Sequence, residues 1–164
     1  MAKTSFNEFL LAVAPERRVF VEKLNDKLLE QGCELVIKEV KSGYTATYQM
    51  EKKTVMNWVF RKTGIWARIY GDNAGRYEEV IAALPADMQK KMTASRDCKR
   101  LIDPDACSGT CVKGFVYSLN GETQKKCRND GMLFLLTEET AEYIAGLICA
   151  EAAARKPALQ QLNR

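Results

Sequence analysis

Four cysteines in the second half of this chain are the residues whose type and spacing could do chemistry. They follow the pattern Cys98-x8-Cys107-x3-Cys111-x15-Cys127. Cys107 and Cys111 have the short separation of a chelating pair, and four thiolates around a tetrahedral Zn²⁺ are a common structural metal site. The sequence therefore predicts a structural zinc ion bound by Cys98, Cys107, Cys111 and Cys127.

A turn between the third and fourth of these cysteines favours the same site. Asn-Gly at positions 120–121 lies between strand-like runs, which is the strongest short-range indication of a two-residue β-hairpin. In that register Gly114 lies opposite Cys127, and Cys111 follows three residues beyond Gly114 on the partner strand. The hairpin would bring Cys111 and Cys127 together at its open end.

The charge around the cysteines is positive. Residues 90–128 contain nine Lys/Arg and four Asp/Glu, whereas the whole chain has a net charge of +4. Neighbouring cations lower the pKa of thiols and offset the charge of a thiolate cluster. The cations that flank the cysteines are Lys99, Arg100, Lys113, Lys125, Lys126 and Arg128.

The chain contains no histidine. A metal site would therefore use sulfur alone or add carboxylates, for which Asp97, Asp103 and Asp105 are the nearby candidates. The same absence excludes a Ser-His-Asp triad and a Cys-His pair within this chain. No pair of carboxylates stands out as a catalytic pair, so we name no catalytic residue and favour a protein that is not an enzyme.

Two other interpretations of the cysteines stay open. Reactive or disulfide-forming thiols in a basic environment would indicate a thiol-based redox sensor or oxidoreductase. Alternatively the thiols are inert, since free cysteine is often buried. For Cys33 and Cys149, which lie on apolar faces of a predicted strand and a predicted helix, the inert interpretation is favoured.

Nucleic-acid binding is a further alternative. The basic residues could contact phosphates, and Phe115 and Tyr117 nearby could stack on bases. Charge compensation for the thiolates explains the same pattern, and no recognised nucleic-acid-binding motif accompanies it. The basic run comprises Lys90, Lys91, Arg96, Lys99 and Arg100.

The segment from Cys98 to Cys127 resembles the C-terminal part of small uncharacterised bacterial proteins. These carry spaced cysteines around a Gly-Phe strand and a hairpin, and the resemblance covers about a fifth of the chain. It implies no function. The residues concerned are Cys98, Cys107, Cys111, Gly114, Phe115, Gly121, Glu122 and Cys127.

The composition indicates one globular domain. A chain of 164 residues with 46% hydrophobic and 28% charged residues can form a real core. No apolar run reaches the roughly 18 residues of a membrane span, and the N-terminus lacks the features of a signal peptide. We therefore expect a cytoplasmic protein, in which cysteines are thiols or metal ligands more often than disulfides.

Helix and strand patterns supply the elements that position the cysteines. A Ser-x-x-Glu capping box at Ser5 begins a long apolar-periodic helix that reaches about Gln31, with a break near Pro15. Two strand pairs follow at 33–50 and 55–70, with turns at their centres. Helical spacing returns over 76–92, and the chain then continues through the hairpin, a strand at 131–136 and a final helix that Thr137 caps.

Five aromatic residues recur along the first four strands. On the sheet face away from the helices they could line a cleft for a small ligand. Alternatively they are core residues and cross-strand pairs. They are Tyr44, Tyr48, Trp58, Trp66 and Tyr70.

These patterns predict an α+β domain over residues 1–156, with a cysteine-rich segment at 95–130 and a flexible tail at 157–164. The antiparallel sheet of about five to seven strands is covered by the N- and C-terminal helices. The favoured function is a small cytosolic binding or adaptor module with a structural zinc site. Its partner would be a small molecule or a protein, with nucleic acid less favoured and no membrane association.

Overall fold

A computed structural model describes residues 5–103 and 114–162, with residues 156–162 as backbone alone. The described helices are α1 (Phe6–Ala12), α2 (Pro15–Glu30), α3 (Glu78–Ala82), α4 (Ala86–Ala94), α5 (Lys99–Ile102) and α6 (Ala141–Leu162). The described strands are β1 (Glu34–Val40), β2 (Gly43–Met50), β3 (Lys53–Arg61), β4 (Gly64–Ile69), β5 (Phe115–Leu119), β6 (Glu122–Lys126) and β7 (Leu133–Leu135). This arrangement confirms the α+β fold.

The N-terminal helical region is divided at the predicted break. The Ser5 side chain accepts a hydrogen bond from the backbone N–H of Glu8 at 3.1 Å and caps α1. Pro15 begins α2, where its missing N–H costs nothing. The Arg18 Nε donates to the carbonyl oxygen of Val13 at 2.9 Å and so fixes the angle between the two helices.

Five antiparallel strands form the main sheet, in the order β1-β2-β3-β4-β7. A row of core residues crosses it from strand to strand, because each is directly opposite the next in the register. The row is Ala46, Trp58, Ala67 and Phe134, all nearly inaccessible to solvent. The helices α1, α2 and α6 pack on this face, which we call the helix-covered face.

Specific contacts join the helices to that face. The rings of Phe9 in α1 and Phe60 in β3 meet edge to face, with centroids 5.8 Å apart. The Tyr48 hydroxyl donates to Oδ1 of the buried Asn25 in α2 at 2.8 Å. The N- and C-terminal helices therefore cover one side of the sheet, as predicted.

The strands β5 and β6 form a separate two-stranded sheet and do not join the main one. Asn120 and Gly121 form the turn with φ angles of 53° and 81°, which an Asn-Gly pair adopts readily. Leu119 lies opposite Glu122. The predicted turn and register are confirmed, whereas the joining of the hairpin by cysteines stays a prediction.

Helix α6 begins later than Thr137. Thr137 and Thr140 first form a turn in which each backbone N–H donates to the hydroxyl of the other, at 2.9 and 3.1 Å. The helix then continues to Leu162, through part of the segment 157–164 for which we predict a flexible tail. Residues 163–164 lie outside the described residues, and the flexibility stays a prediction. Neither α6 nor any other described helix combines the length and apolar character needed to cross a membrane.

Candidate ligand-binding face and cysteine segment

Two of the four predicted zinc ligands, Cys98 and Cys127, lie next to an isolated β-bridge between Asp97 and Lys126. The backbone N–H of Cys98 donates to the carbonyl of Lys125 at 2.9 Å, and that of Cys127 donates to the carbonyl of Arg96 at 2.8 Å. Residues 96–98 therefore run antiparallel to the end of β6. This pairing brings Cys98 and Cys127 to the same end of the hairpin.

The other two predicted ligands, Cys107 and Cys111, lie outside the described residues. Within the ranges 5–103 and 114–162, no three His, Cys, Asp or Glu side chains are grouped so that they could hold a metal ion. Cys98 and Cys127 are both free thiols. The zinc site thus stays a prediction, to which the described part of the chain contributes two adjacent cysteines.

The Cys98 thiol lies in an environment that favours its ionised form. The residue is buried, and the backbone N–H of Gly114 donates to its Sγ at 3.3 Å. Burial by itself raises the pKa of the Cys98 thiol. Hydrogen bonds from the backbone of Gly114, Leu101 and Arg100, together with the Arg100 charge, outweigh burial and lower that pKa below its ordinary value. A thiolate is the form that binds metal or acts as a nucleophile.

Lys126 has a different role from the predicted compensation of thiolate charge. Only 3% of the residue is exposed. Its Nζ donates to the carbonyls of Thr93 and Ser95 at 2.8 and 3.1 Å, and to Asp97 Oδ1 at 2.8 Å. The ammonium group therefore binds β6 to the C-terminal end of α4.

The remaining described cysteines occupy core positions, as the inert interpretation predicted. Cys33 is buried just before β1. Cys149 packs against the core from α6, and burial raises the pKa of its thiol despite the opposing charge of Lys27. The position of Cys149 disfavours a thiolate.

A buried carboxylate that the sequence analysis missed lies in α6. Glu151 is fully buried and accepts hydrogen bonds from the backbone and side chain of Asn73, from the Tyr77 hydroxyl and from Arg155 Nε. Donor–acceptor distances are 2.7–3.0 Å. Burial and the Glu151 carboxylate raise the pKa of Tyr77 well above its ordinary value, so the phenol keeps its proton. The i, i+4 spacing of Glu151 and Arg155 among the apolar and small residues of α6 was the available signal.

Arg155 extends this polar cluster to the loop that follows β4. Its Nη2 donates to the carbonyl oxygen of Tyr70 at 3.1 Å and to Asp72 Oδ2 at 3.4 Å. Arg128 pairs with both oxygens of Asp72 at 3.1 and 3.2 Å. Because Glu151 already accepts four hydrogen bonds, the cluster is explained as a structural connection between α6 and the loop at residues 71–77.

The five aromatic residues of the predicted ligand cleft are divided between the two faces of the sheet. Tyr48 and Trp58 are fully buried on the helix-covered face, and Tyr44 contacts Phe60 there. Trp66 and Tyr70 lie on the other side, which we call the open face. The core interpretation is therefore correct for three of the residues, and two are left for a ligand.

The open face is partly accessible to solvent. On it, Thr45, Thr47 and Val59 are half-buried, and Val36 and Val40 at the sheet edge are 38% and 42% exposed. The helices α1, α2 and α6 lie on the opposite side of the sheet. Helix α4 does reach the open face, because its Lys91 lies over the Trp66 ring.

Trp66 lies on this face with two cations beside its ring. Its Nε1 donates to Thr63 Oγ1 at 2.8 Å, which fixes the ring orientation. The Lys91 Nζ lies 4.1 Å and the Arg61 Cζ 5.4 Å from the ring centroid. Neither cation forms an ion pair with any carboxylate in the part of the chain that the structure describes. Burial and the Arg61 charge lower the pKa of Lys91.

The side-chain amide of Asn57 in β3, on the open face, lacks one hydrogen-bond partner among the described residues. Asn57 is 8% exposed, and its Nδ2 donates weakly to the Tyr70 hydroxyl at 3.4 Å. Its Oδ1 has no hydrogen-bond partner among the described residues. Arg68 lies directly opposite Asn57 on β4, and the guanidinium of Arg128 lies 4.5 Å from the Tyr70 ring centroid.

A cavity of about 410 Å³ adjoins the turn between β3 and β4. Its volume lies in the range of small-ligand sites. Arg17 and Arg61 contribute positive charge to its wall and Glu16 a negative charge, while Thr63 and Thr137 contribute hydroxyls. Neither arginine forms an ion pair with a carboxylate within residues 5–103 or 114–162.

The aromatic residues predicted to stack on bases are unsuited to that role. Phe115 and Tyr117 are 3% and 1% exposed, and their rings stack on each other with centroids 5.9 Å apart. Burial raises the pKa of Tyr117 to about 12. If a ligand meets aromatic rings on this protein, Trp66 and Tyr70 are the better placed pair.

Comparisons of this chain with protein-family models, with curated proteins and with solved structures found no match. The resemblance of the cysteine segment to small bacterial proteins therefore stays a prediction.

Proposed function

We propose that this protein is a binding module whose ligand is anionic and lies on the open face around Trp66. One observation carries the proposal: Arg61 and Lys91 both lie beside the Trp66 ring, and neither has a carboxylate partner in the described ranges. Two cations that repel each other without a counter-ion are stabilised by an anion that binds between them. The proposed function contains no catalytic step.

The proposal predicts that inorganic tripolyphosphate binds at Trp66. The chain has two tryptophans, and Trp58 is fully buried. A change in tryptophan fluorescence on addition of the ligand therefore reports on Trp66. We expect the double variant R61Q/K91Q to bind at least about tenfold more weakly, since each charge-assisted contact is worth about 1.5–3 kcal/mol. The measurement is a fluorescence titration at low ionic strength.

The matched control for this titration is K23Q/K27Q. It removes the same charge from exposed positions of α2, on the helix-covered side of the molecule. Equal affinity of wild type and control, with weaker binding of R61Q/K91Q, supports the site. An equal loss in both double variants would show that net charge alone attracts the anion and would contradict the proposal.

A structural zinc ion bound by Cys98, Cys107, Cys111 and Cys127 is the second part of the proposal. Supporting it are the backbone hydrogen bonds that hold the Cys98 segment beside the end of β6 at Cys127, and the lowered pKa of the Cys98 thiol. A closed tetrahedral site would hold the hairpin to the segment that precedes it.

Zinc binding predicts one zinc ion per chain in protein purified without chelators, and two thiols that react before the metal is removed. Elemental analysis and thiol titration with and without a chelator measure both. Six thiols that titrate freely in metal-free protein would contradict the site. A thiol-based redox role is the second candidate, and it predicts no zinc and a disulfide that involves Cys98 after mild oxidation.

A further inference from the structure

The outward residues of β4 alternate between aromatic rings and a cation. Side chains two residues apart on a strand lie on the same face. Trp66, Arg68 and the residue just after the strand, Tyr70, therefore form a line along the open face. The line is about 13 Å long from the first ring position to the last, at roughly 3.3 Å per residue.

Cationic side chains lie at both ends of this line. Arg61 and Lys91 lie beside Trp66, and Arg128 lies over Tyr70. Arg128 is paired with Asp72, so its charge is partly neutralised. Arg61, Arg68 and Lys91 form no ion pair within the described residues. The described part of the open face near β4 therefore attracts a ligand that carries several negative charges along its length.

A polar atom in the centre of the face requires a partner. Asn57 lies opposite Arg68, is more than nine-tenths buried, and leaves its Oδ1 without a hydrogen bond among the described residues. Exchange of its amide oxygen and nitrogen would leave the nitrogen unpaired instead. In either orientation one polar atom of this amide is buried and unpaired beside Arg68, so it marks the centre of the row but is not itself exposed to a ligand.

We propose that a single-stranded nucleic acid binds along β4, with its phosphates at Arg61, Lys91 and Arg68 and its bases against Trp66 and Tyr70. This inference rests on the anion site of the proposed function and adds the class of ligand. A positively charged track beside aromatic rings is the general requirement for binding single strands without strong sequence preference. The single strand is favoured because its unpaired bases can reach rings that lie on a flat sheet.

The test uses the full chain with fluorescein-labelled 12-nucleotide oligo-dT and oligo-rU, and measures anisotropy together with tryptophan fluorescence. We expect binding that quenches Trp66 and weakens as salt increases. In R61Q/K91Q the slope of log affinity against log salt is expected to fall by about 1.4, because each lost phosphate contact to a single strand contributes about 0.7. Trp66→Ala is expected to bind roughly tenfold more weakly.

Controls separate the possible outcomes. K23Q/K27Q should retain the wild-type slope and affinity, and circular dichroism checks that each variant is folded. Binding of tripolyphosphate without binding of either oligonucleotide would overturn this inference and leave the proposed function intact. The inference would also be overturned if duplex DNA or poly-glutamate displaced the labelled oligonucleotide as effectively as an unlabelled single strand does. If the wild-type protein binds neither tripolyphosphate nor either oligonucleotide, both proposals are rejected together.

Discussion

Replacing Glu151 with alanine is expected to lower the free energy of unfolding by about 3–5 kcal/mol, the usual cost of removing one partner from a buried ion pair. The carboxylate is fully buried and accepts four hydrogen bonds. Its removal leaves the Arg155 guanidinium, 10% exposed as a side chain, with the half-exposed Asp72 as its remaining carboxylate partner. Tyr77 and Asn73 lose their acceptor at the same time.

Urea denaturation followed by circular dichroism measures this change. Glu142→Ala is the matched control, because Glu142 is an exposed glutamate on the same helix. Exposed substitutions of this kind usually change stability by less than about 0.5 kcal/mol. A cost for Glu151→Ala similar to that of the control would show that the cluster does not hold the loop at 71–77 against α6.

Replacing Gly114 with alanine is expected to destabilise the protein by about 3 kcal/mol or more, at the upper end of the cost of overpacking. An added Cβ would overlap the carbonyl oxygen of Lys126 and lie 3.0 Å from the Cβ of Cys98. The first of these contacts is with backbone, so the end of the hairpin has to separate. The same movement would remove the Gly114 N–H from the Cys98 thiol and raise the pKa of that thiol.

Gly146→Ala is a control with the opposite expected sign. Gly146 lies within α6, and an added Cβ there meets no atom within 4 Å. Alanine in a helix interior is favoured over glycine by up to about 1 kcal/mol, so this variant should be slightly more stable. Equal effects of the two substitutions in thermal unfolding would contradict the close packing at Gly114.

The fold could be predicted because its local signals agree with one another. The cap at Ser5, the turn at Asn120-Gly121 and the β-branched runs of the first strands each depend on residues near in sequence. The separation of the hairpin from the main sheet could not be predicted in this way. It depends on the packing of β5 against the residues at 74–82, which are distant in the chain.

The candidate site was harder to predict for a related reason. To identify the open face, one must know which residues of each strand face the helices. Alternation along the strands alone does not show whether Trp58 or Trp66 is the tryptophan that faces the helices. Lys91 lies in α4 and Trp66 in β4, and no rule of sequence spacing predicts that these two side chains meet. Glu151 was missed because its partners Asn73 and Tyr77 lie more than seventy residues earlier.

The strand order has a consequence for how the chain folds. Strands β1 to β4 are neighbours in sequence as well as in the sheet, so each pairing closes only a short loop. The fifth strand is different, because Trp66 pairs with Leu135 and Arg68 with Leu133. The entropy cost of closing a loop increases with its length, and contacts between distant residues slow folding. The four-strand meander can therefore assemble through local contacts, whereas addition of β7 sets the long-range step of the folding reaction.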